Sequence, residues 1–91
     1  MQDIAEWRKR IDEIDKKLLA LLNERAKCAV EIGNVKKRAG MEIYDPNREN
    51  EILSRLRSAN EGPLSDDSVQ RLFECLIQES RCLEGEKQEK N

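Results

Sequence analysis

The sequence predicts an all-α protein in which three helices per chain, one long and two shorter, intertwine with a second copy into a symmetric helical-bundle homodimer. Apolar residues recur at steps of three and four along most of the chain, and this spacing places them on one face of a helix. Two short breaks separate the periodic stretches, so three helices are expected. The first stretch is too long for one chain to cover, and a second copy is therefore expected.

The first helix is predicted from about residue 3 to 38. Its apolar positions follow a heptad spacing, which is typical of a helix packed lengthwise against others. Basic residues 36–38 and then Ala39-Gly40 predict its end, because cations and glycine favour helix C-termini. Gly33 is expected to be only a mild defect that costs about 1 kcal/mol relative to alanine. The apolar positions are Ile4, Trp7, Ile11, Ile14, Leu18, Leu21, Cys28, Ile32 and Val35.

Two shorter helices are predicted at about residues 46–58 and 65–84. Asp45-Pro46 begins the second as an N-cap followed by proline at the first helical position, and the break SANEGP follows it. Ser65 caps the third. A polar tail, residues 85–91, completes a predicted single domain of residues 1–91. The apolar stripe of the third helix is Val69, Leu72, Phe73, Leu76, Ile77 and Leu83.

The length of the first helix predicts the dimer. A helix of about 35 residues extends about 50 Å, whereas a compact chain of this size measures only about 30 Å across. Two shorter helices cannot cover the whole apolar face of such a helix. A symmetric intertwined homodimer is the simplest arrangement that does.

Composition excludes several function classes. The chain has 91 residues, with 17 basic, 19 acidic, three cysteine and no histidine residues. Interspersed charges and a net charge of −2 argue against nucleic-acid or membrane-surface partners. Without histidine there is no imidazole base or catalytic triad, and the cysteine and glycine spacings form neither a zinc site nor a P-loop. No signal peptide or membrane-spanning run is apparent, so a cytoplasmic protein is expected.

Charged residues interrupt the apolar face of the first helix. Arg25 occupies the stripe position between Leu21 and Cys28, where burial is costly unless an anion pairs with the guanidinium. Lys36 follows eleven residues later and lies about 20° from Arg25 around the helix, whereas Arg8 lies about 100° away. These cations predict a binding site for an anion.

The two shorter helices also place polar groups on their apolar faces. Asp45, Arg48 and Glu49 share a face with Ile52, and on the third helix Ser80 falls within the stripe, followed by Glu84 at i+4. A pocket with several cations, hydrogen-bond donors and no nucleophile suits a small, multiply anionic ligand. Its chemistry would consist of holding the ligand and stabilising charge.

Each of these residues also has a purely structural interpretation. Arg25 can pair with a partner's carboxylate and fix register, and Lys36 can be a solvated cation at a helix end. Asp45 can be only a cap, Glu49 can form an ordinary pair with Arg48, and the hydroxyl of the serine can bind a backbone carbonyl. Finally, Arg8 and Glu84 can be ordinary surface charges.

Three stretches of the chain resemble the all-helical (AroQ-class) chorismate mutases: IDEIDKKLLALLNERAKCAVEIGNVKK, IYDPNREN and LFECLIQESRCLE. The resemblance covers about residues 4–84, and the pattern of Glu-Arg, eleven residues to lysine, then D-x-x-R-E is specific in combination. It implies an intertwined dimer with two equivalent sites. It further implies conversion of chorismate to prephenate, in phenylalanine and tyrosine biosynthesis, by an intramolecular Claisen rearrangement without cofactor, metal or covalent intermediate.

The same resemblance implies roles for the cations. Arg8, contributed by the other protomer, and Arg25, from the same chain, bind substrate carboxylates. Lys36 contacts a carboxylate and donates to the ether oxygen whose bond to the ring breaks. The catalytic residues implied are Lys36, Glu84 and Arg25.

The other site residues follow from the resemblance in the same way. Asp45 stands where the family's loop backbone meets the substrate hydroxyl, and Glu49 where a carboxylate accepts that hydroxyl's hydrogen bond. Arg48 supports the carboxylate end, and Ser80 matches a serine that contacts a carboxylate. Glu84 stands where some members have glutamine and others glutamate. Glu84 can donate a hydrogen bond to the substrate only when it is protonated, because an ionised carboxylate only accepts hydrogen bonds. Activity is therefore expected to decline as the pH rises.

Two other functions stay open at this point. An isochorismate-pyruvate lyase uses a related helical dimer with similar cations, and a non-catalytic dimerisation module would need none of this chemistry. The D-x-x-R-E match with an acidic last position favours the mutase. Product analysis separates the two enzymes, and a module would tolerate Arg25→Ala without loss of ligand binding.

Overall fold

The computed structural model describes residues 3–85, which form three α-helices joined by two loops. Helix α1 spans Ile4–Ala39, α2 spans Pro46–Ala59 and α3 spans Asp66–Glu84. No strand occurs within residues 3–85, so the predicted all-α class with one long and two shorter helices is confirmed. None of these three helices is both long and apolar enough to cross a bilayer. Most of the predicted polar tail, residues 86–91, lies outside the described residues.

Each helix begins at a polar side chain that caps it. The carboxylate of Asp3 accepts from the N–H of Glu6 at 3.0 Å, and the Ser65 hydroxyl accepts from the N–H of Ser68 at 3.1 Å. Asp45 caps α2, with Pro46 in its first turn. Such caps satisfy N–H groups that have no partner inside the helix. The helix starts therefore follow from local sequence.

Helix α3 packs against both α1 and α2. The apolar residues buried among the described part of the chain are Ala29 of α1 with Val69 and Ile77 of α3. Small domains bury little surface, and this core is small even for 91 residues. The packing is confined to the second half of α1.

The first half of α1 extends away from this core. The described chain measures 58 × 27 × 25 Å, and α1 with its 36 residues accounts for about 54 Å of the longest dimension. The apolar stripe of the first half of α1 is 50–67% exposed, and an extended exposed apolar surface ordinarily marks an interaction site. This stripe consists of Ile4, Trp7, Ile11, Ile14, Leu18 and Leu21.

Gly33 is buried where α1 meets the end of α3. A Cβ atom at this position would lie 2.6 Å from both the Cα and the carbonyl oxygen of Glu84. The expectation that Gly33 is merely a mild helix defect is therefore incomplete, because only glycine lets the two backbones approach this closely.

Candidate active site

A cavity of about 370 Å³ opens between the second half of α1, the loop before α2, and helices α2 and α3. This volume is within the range of small-molecule sites, about 300–1,000 Å³. Seven of the eight residues predicted from the sequence line the cavity. They are Arg25, Lys36, Asp45, Arg48, Glu49, Ser80 and Glu84.

Arg8 is the predicted residue that does not line this cavity. It is exposed in the first half of α1 and precedes Arg25 by 17 residues, which is about 25 Å along the helix axis. Its side chain cannot reach the cavity of its own chain over that distance.

Lys36 forms an almost fully desolvated ion pair with Glu84. The Lys36 Nζ atom donates to Glu84 Oε1 at 2.7 Å and to the carbonyl oxygen of Ile43 at 2.8 Å. The two charged side chains are only 13% and 11% exposed. The interpretation of Lys36 as a solvated cation at a helix end is therefore wrong. An ammonium has three N–H donors, so one remains for a ligand beside the two that these described residues engage.

Arg25 is half-buried and has neutral partners. Its Nη1 atom donates to the Ser80 hydroxyl and, at 3.5 Å, to the carbonyl oxygen of Leu76. The Ser80 hydroxyl in turn donates to that same carbonyl at 3.0 Å. No carboxylate within residues 3–85 forms an ion pair with Arg25, so its charge is not neutralised inside this part of the chain. A half-buried cation of this kind favours an anion in the cavity.

Asp45, Arg48 and Glu49, at the start of α2, cap the helix or form ion pairs, and all three also line the cavity. The Asp45 carboxylate accepts from the N–H of Arg48 at 3.1 Å, so the cap interpretation of Asp45 is confirmed. The Arg48 guanidinium forms an exposed ion pair with Glu51. Glu49 faces Arg81 instead, with 3.5 Å between Oε2 and Nε. The interpretation of Glu49 and Arg48 as an ordinary helical pair is therefore wrong.

Arg81 also lines the cavity, although it is not among the site residues predicted from the sequence. Its guanidinium lies 5.3 Å from the centre of the Tyr44 ring, a cation–π distance, while its Nε faces Glu49. The sequence does contain a signal for this residue. Arg81 follows the buried Ile77 at i+4 and precedes Glu84 at i+3, so all three lie on one face of α3.

Four basic and three acidic side chains thus line the cavity, with the Cys28 thiol also present on its wall. Within residues 3–85, no three carboxylate or thiol groups lie close enough together to bind a metal ion. The chain has no histidine that could activate the thiol. The arrangement can hold a small polyanion and stabilise charge that develops on it by fixed hydrogen-bond donors.

Comparison with known proteins places this geometry in a family. Residues 7–85 match the family described as chorismate mutase type II. A chorismate mutase of Methanocaldococcus jannaschii is 35% identical over 85 residues, which are 92% of this chain and 86% of that protein. A bifunctional chorismate mutase/prephenate dehydratase of Aquifex aeolicus is 38% identical over 91 residues, 96% of this chain. The chain spans only 25% of the length of that bifunctional protein.

Solved structures agree with the sequence relatives. A chorismate mutase from Thermus thermophilus superposes with a TM-score of 0.90 at 34% identity, covering 97% of this chain and all of that one. A chorismate mutase from Helicobacter pylori in complex with prephenate superposes with a TM-score of 0.81 at 30% identity, covering 89% and 88% of the two chains. This chain belongs to the chorismate mutase type II family.

Proposed function

We propose that this chain is an isomerase that converts chorismate to prephenate by an intramolecular Claisen rearrangement. The observation on which this proposal rests is that seven side chains selected from the sequence line one cavity of about 370 Å³. The Methanocaldococcus jannaschii relative named chorismate mutase matches over most of its length. The Helicobacter pylori structure, in complex with prephenate, supports the choice of ligand.

The cavity would act first by restricting the conformation of the substrate. Chorismate is a dianion, and the rearrangement needs its two ends close together. Arg25 would bind one substrate carboxylate with support from Arg48. Lys36, which lies further along α1, would also contact a substrate carboxylate. Glu49 and the backbone at Asp45 would bind the ring hydroxyl. Holding the reacting ends in this way removes much of the entropic part of the barrier.

Stabilisation of the transition state would come from Lys36 and Glu84. The ether C–O bond breaks while a C–C bond forms in the same cyclic shift of electrons, so negative charge grows on the ether oxygen. The third N–H of Lys36, which has no partner within residues 3–85, would donate to that oxygen. Its other contacts, to Ile43 and Glu84 at 2.8 and 2.7 Å, fix the ammonium before the reaction. A donor fixed in this way stabilises the transition state more than the ground state.

Glu84 would donate the second hydrogen bond to the ether oxygen, which requires its protonated form. The active fraction of the enzyme would therefore fall as the pH rises.

Ser80 would act on the carboxylate end of the substrate chiefly through Arg25. Its hydroxyl accepts from the guanidinium and donates to the carbonyl of Leu76. Direct donation to a substrate carboxylate requires the hydroxyl to rotate away from that carbonyl. In either position the serine keeps the Arg25 guanidinium directed into the cavity.

The functional unit would be a symmetric homodimer. The exposed apolar stripe of α1 needs a cover, and Arg8 lies too far from its own cavity to contribute there. A second copy packed along α1 would cover the stripe and bring its Arg8 to this cavity, giving two equivalent sites. We place this enzyme in the cytoplasm, in phenylalanine and tyrosine biosynthesis.

The test of the proposed activity is turnover of chorismate by the purified chain with the product identified. Prephenate formation that Arg25→Ala reduces strongly, with the dimer intact, is the expected result. Release of pyruvate from isochorismate without any prephenate would identify a lyase instead. A folded dimer that turns over neither compound and whose Arg25→Ala variant loses no ligand binding would be a dimerisation module.

A further inference from the structure

Helices α1 and α3 approach each other closely at Gly33 and Glu84, at one end of the cavity. A Cβ on Gly33 would lie 2.6 Å from the Cα and carbonyl oxygen of Glu84 and 2.9 Å from its carbonyl carbon. These are all backbone atoms, which cannot move aside by a change of rotamer. An ordinary van der Waals contact for such a Cβ begins at 3.4 Å, so any side chain at position 33 must displace the last turn of α3.

The same stretch of α1 contacts the side chain of Glu84. Lys36 follows Gly33 at i+3, on the same side of the helix, and its ammonium binds Glu84 Oε1 at 2.7 Å. Glu84 is therefore held at two points, by its backbone against Gly33 and by its carboxylate on Lys36. The backbone contact therefore sets how far the Glu84 side chain must extend to reach the Lys36 ammonium.

We infer that Gly33 is a positioning residue of the active site, whose missing side chain sets the place of the Glu84 carboxylate beside Lys36. The inference rests on the proposed role of Glu84 in the reaction. Lengthening this contact from 2.6 Å to at least 3.4 Å shifts the Glu84 backbone by slightly less than about 1 Å. A misplacement of about 1 Å costs about 100-fold in rate.

Gly85 restrains the same backbone from the other side. Its φ of +123° is a conformation that residues with a Cβ rarely adopt, and its N–H bonds to the carbonyl oxygens of Arg81 and Cys82. Helix α3 consequently ends directly after Glu84. Glycines thus flank the Glu84 backbone in space at position 33 and in sequence at position 85.

The test compares Gly33→Ala with Asn34→Ala in the full chain. Both substitutions increase helix propensity in α1, but Asn34 is exposed and outside the cavity lining. We expect Gly33→Ala to lower kcat by about 10- to 100-fold with a smaller change in KM, while Asn34→Ala stays within about twofold of the parent chain. Circular dichroism and the mass of the particle in solution check that each variant is folded and assembled.

A double-mutant cycle with Glu84→Ala separates positioning from general damage. If Gly33 acts through the Glu84 carboxylate, Gly33→Ala lowers kcat much less when that carboxylate is already absent. An equal loss in both backgrounds, or no loss in the parent chain, would overturn the inference. An active Glu84→Ala variant with parental kcat would instead refute the proposed role of Glu84, and with it the basis of the inference.

Gly85→Ala provides the second variant if Gly33→Ala does not fold. It strains the chain directly after Glu84 at the end of α3, away from the buried residues of the core. The expected result is a loss of kcat in the parent background and little further loss with Glu84→Ala. Full kcat in Gly85→Ala would show that the placement of the Glu84 backbone does not limit the reaction, and would overturn the inference.

Discussion

The two halves of α1 have the same helical geometry and different surroundings. In the first half, the apolar stripe from Ile4 to Leu21 is exposed along its length. In the second half, α3 packs on one face of the helix, where Ala29 and Gly33 are buried, while Ile32 and Val35 stay about half exposed. The first half has only large apolar side chains on its stripe, whereas the face of the second half that α3 covers has small residues beside the cavity-lining cations Arg25 and Lys36.

This difference indicates what each half is for. Small residues let α3 approach closely, and the cations then face a cavity between helices of one chain. The large apolar residues of the other half have no such cover within residues 3–85, and they suit a flat, extended contact with another helix. One continuous helix can therefore form the interior of a site in its own chain and the interface with a second chain.

The largest expected effect is in the covered half, at Lys36. Lys36→Ala should lower kcat by about 100- to 1,000-fold, because it removes the proposed donor to the oxygen on which charge develops. Lys37→Ala changes an adjacent, exposed lysine and should leave kcat within about twofold of the parent chain. Steady-state kinetics of both variants check this expectation. Similar losses in the two variants would mean that only the net charge of the helix end matters.

In the uncovered half, Ile14→Lys should break the proposed dimer. It places a charge on the apolar stripe, and burying an unpaired charge in an interface costs several kcal/mol. Asn23→Lys is the matched control, because position 23 lies about 160° around the helix from Leu21. Sedimentation at micromolar concentration should give a monomer for Ile14→Lys and a dimer for Asn23→Lys. A dimeric Ile14→Lys variant would show that the stripe is not the interface.

A smaller effect is expected for the pH dependence of kcat, which we attribute to Glu84 at the contact between α3 and the second half of α1. In the proposed mechanism only a protonated Glu84 can donate to the ether oxygen, so kcat of the parent chain should fall as the pH rises. Glu84→Gln donates at every pH and should give a flat profile. Glu79→Gln, an exposed control on α3, should keep the parental slope. A parental slope in Glu84→Gln would remove the proton-donor role.

Local features of the fold were predictable from the sequence because they depend on neighbours in the chain. Asp45 and Ser65 satisfy N–H groups three residues away, and the three–four spacing of apolar residues defines α1. The position of Arg25 in an apolar stripe also predicts the site, since a cation there requires a counterpart.

Contacts between helices were not predictable in the same way. The approach of Arg81 to Glu49 joins α3 to α2, and the contact of Gly33 with Glu84 joins α1 to α3. Each depends on how two helices cross, which one periodic pattern does not specify. The backbone carbonyl of Ile43 that binds Lys36 has no sequence signal, because every residue has a carbonyl.

The most direct test of the central claim, that each site combines the second half of α1 from one chain with the first half from another, uses two inactive variants. Arg8→Ala and Arg25→Ala are refolded together in equal amounts. In the proposed dimer, half of the particles are mixed, and each mixed particle has one intact site. About a quarter of the parental activity should therefore return, although each variant refolded alone stays inactive. Mixtures no more active than the separate variants would contradict a site shared between two chains.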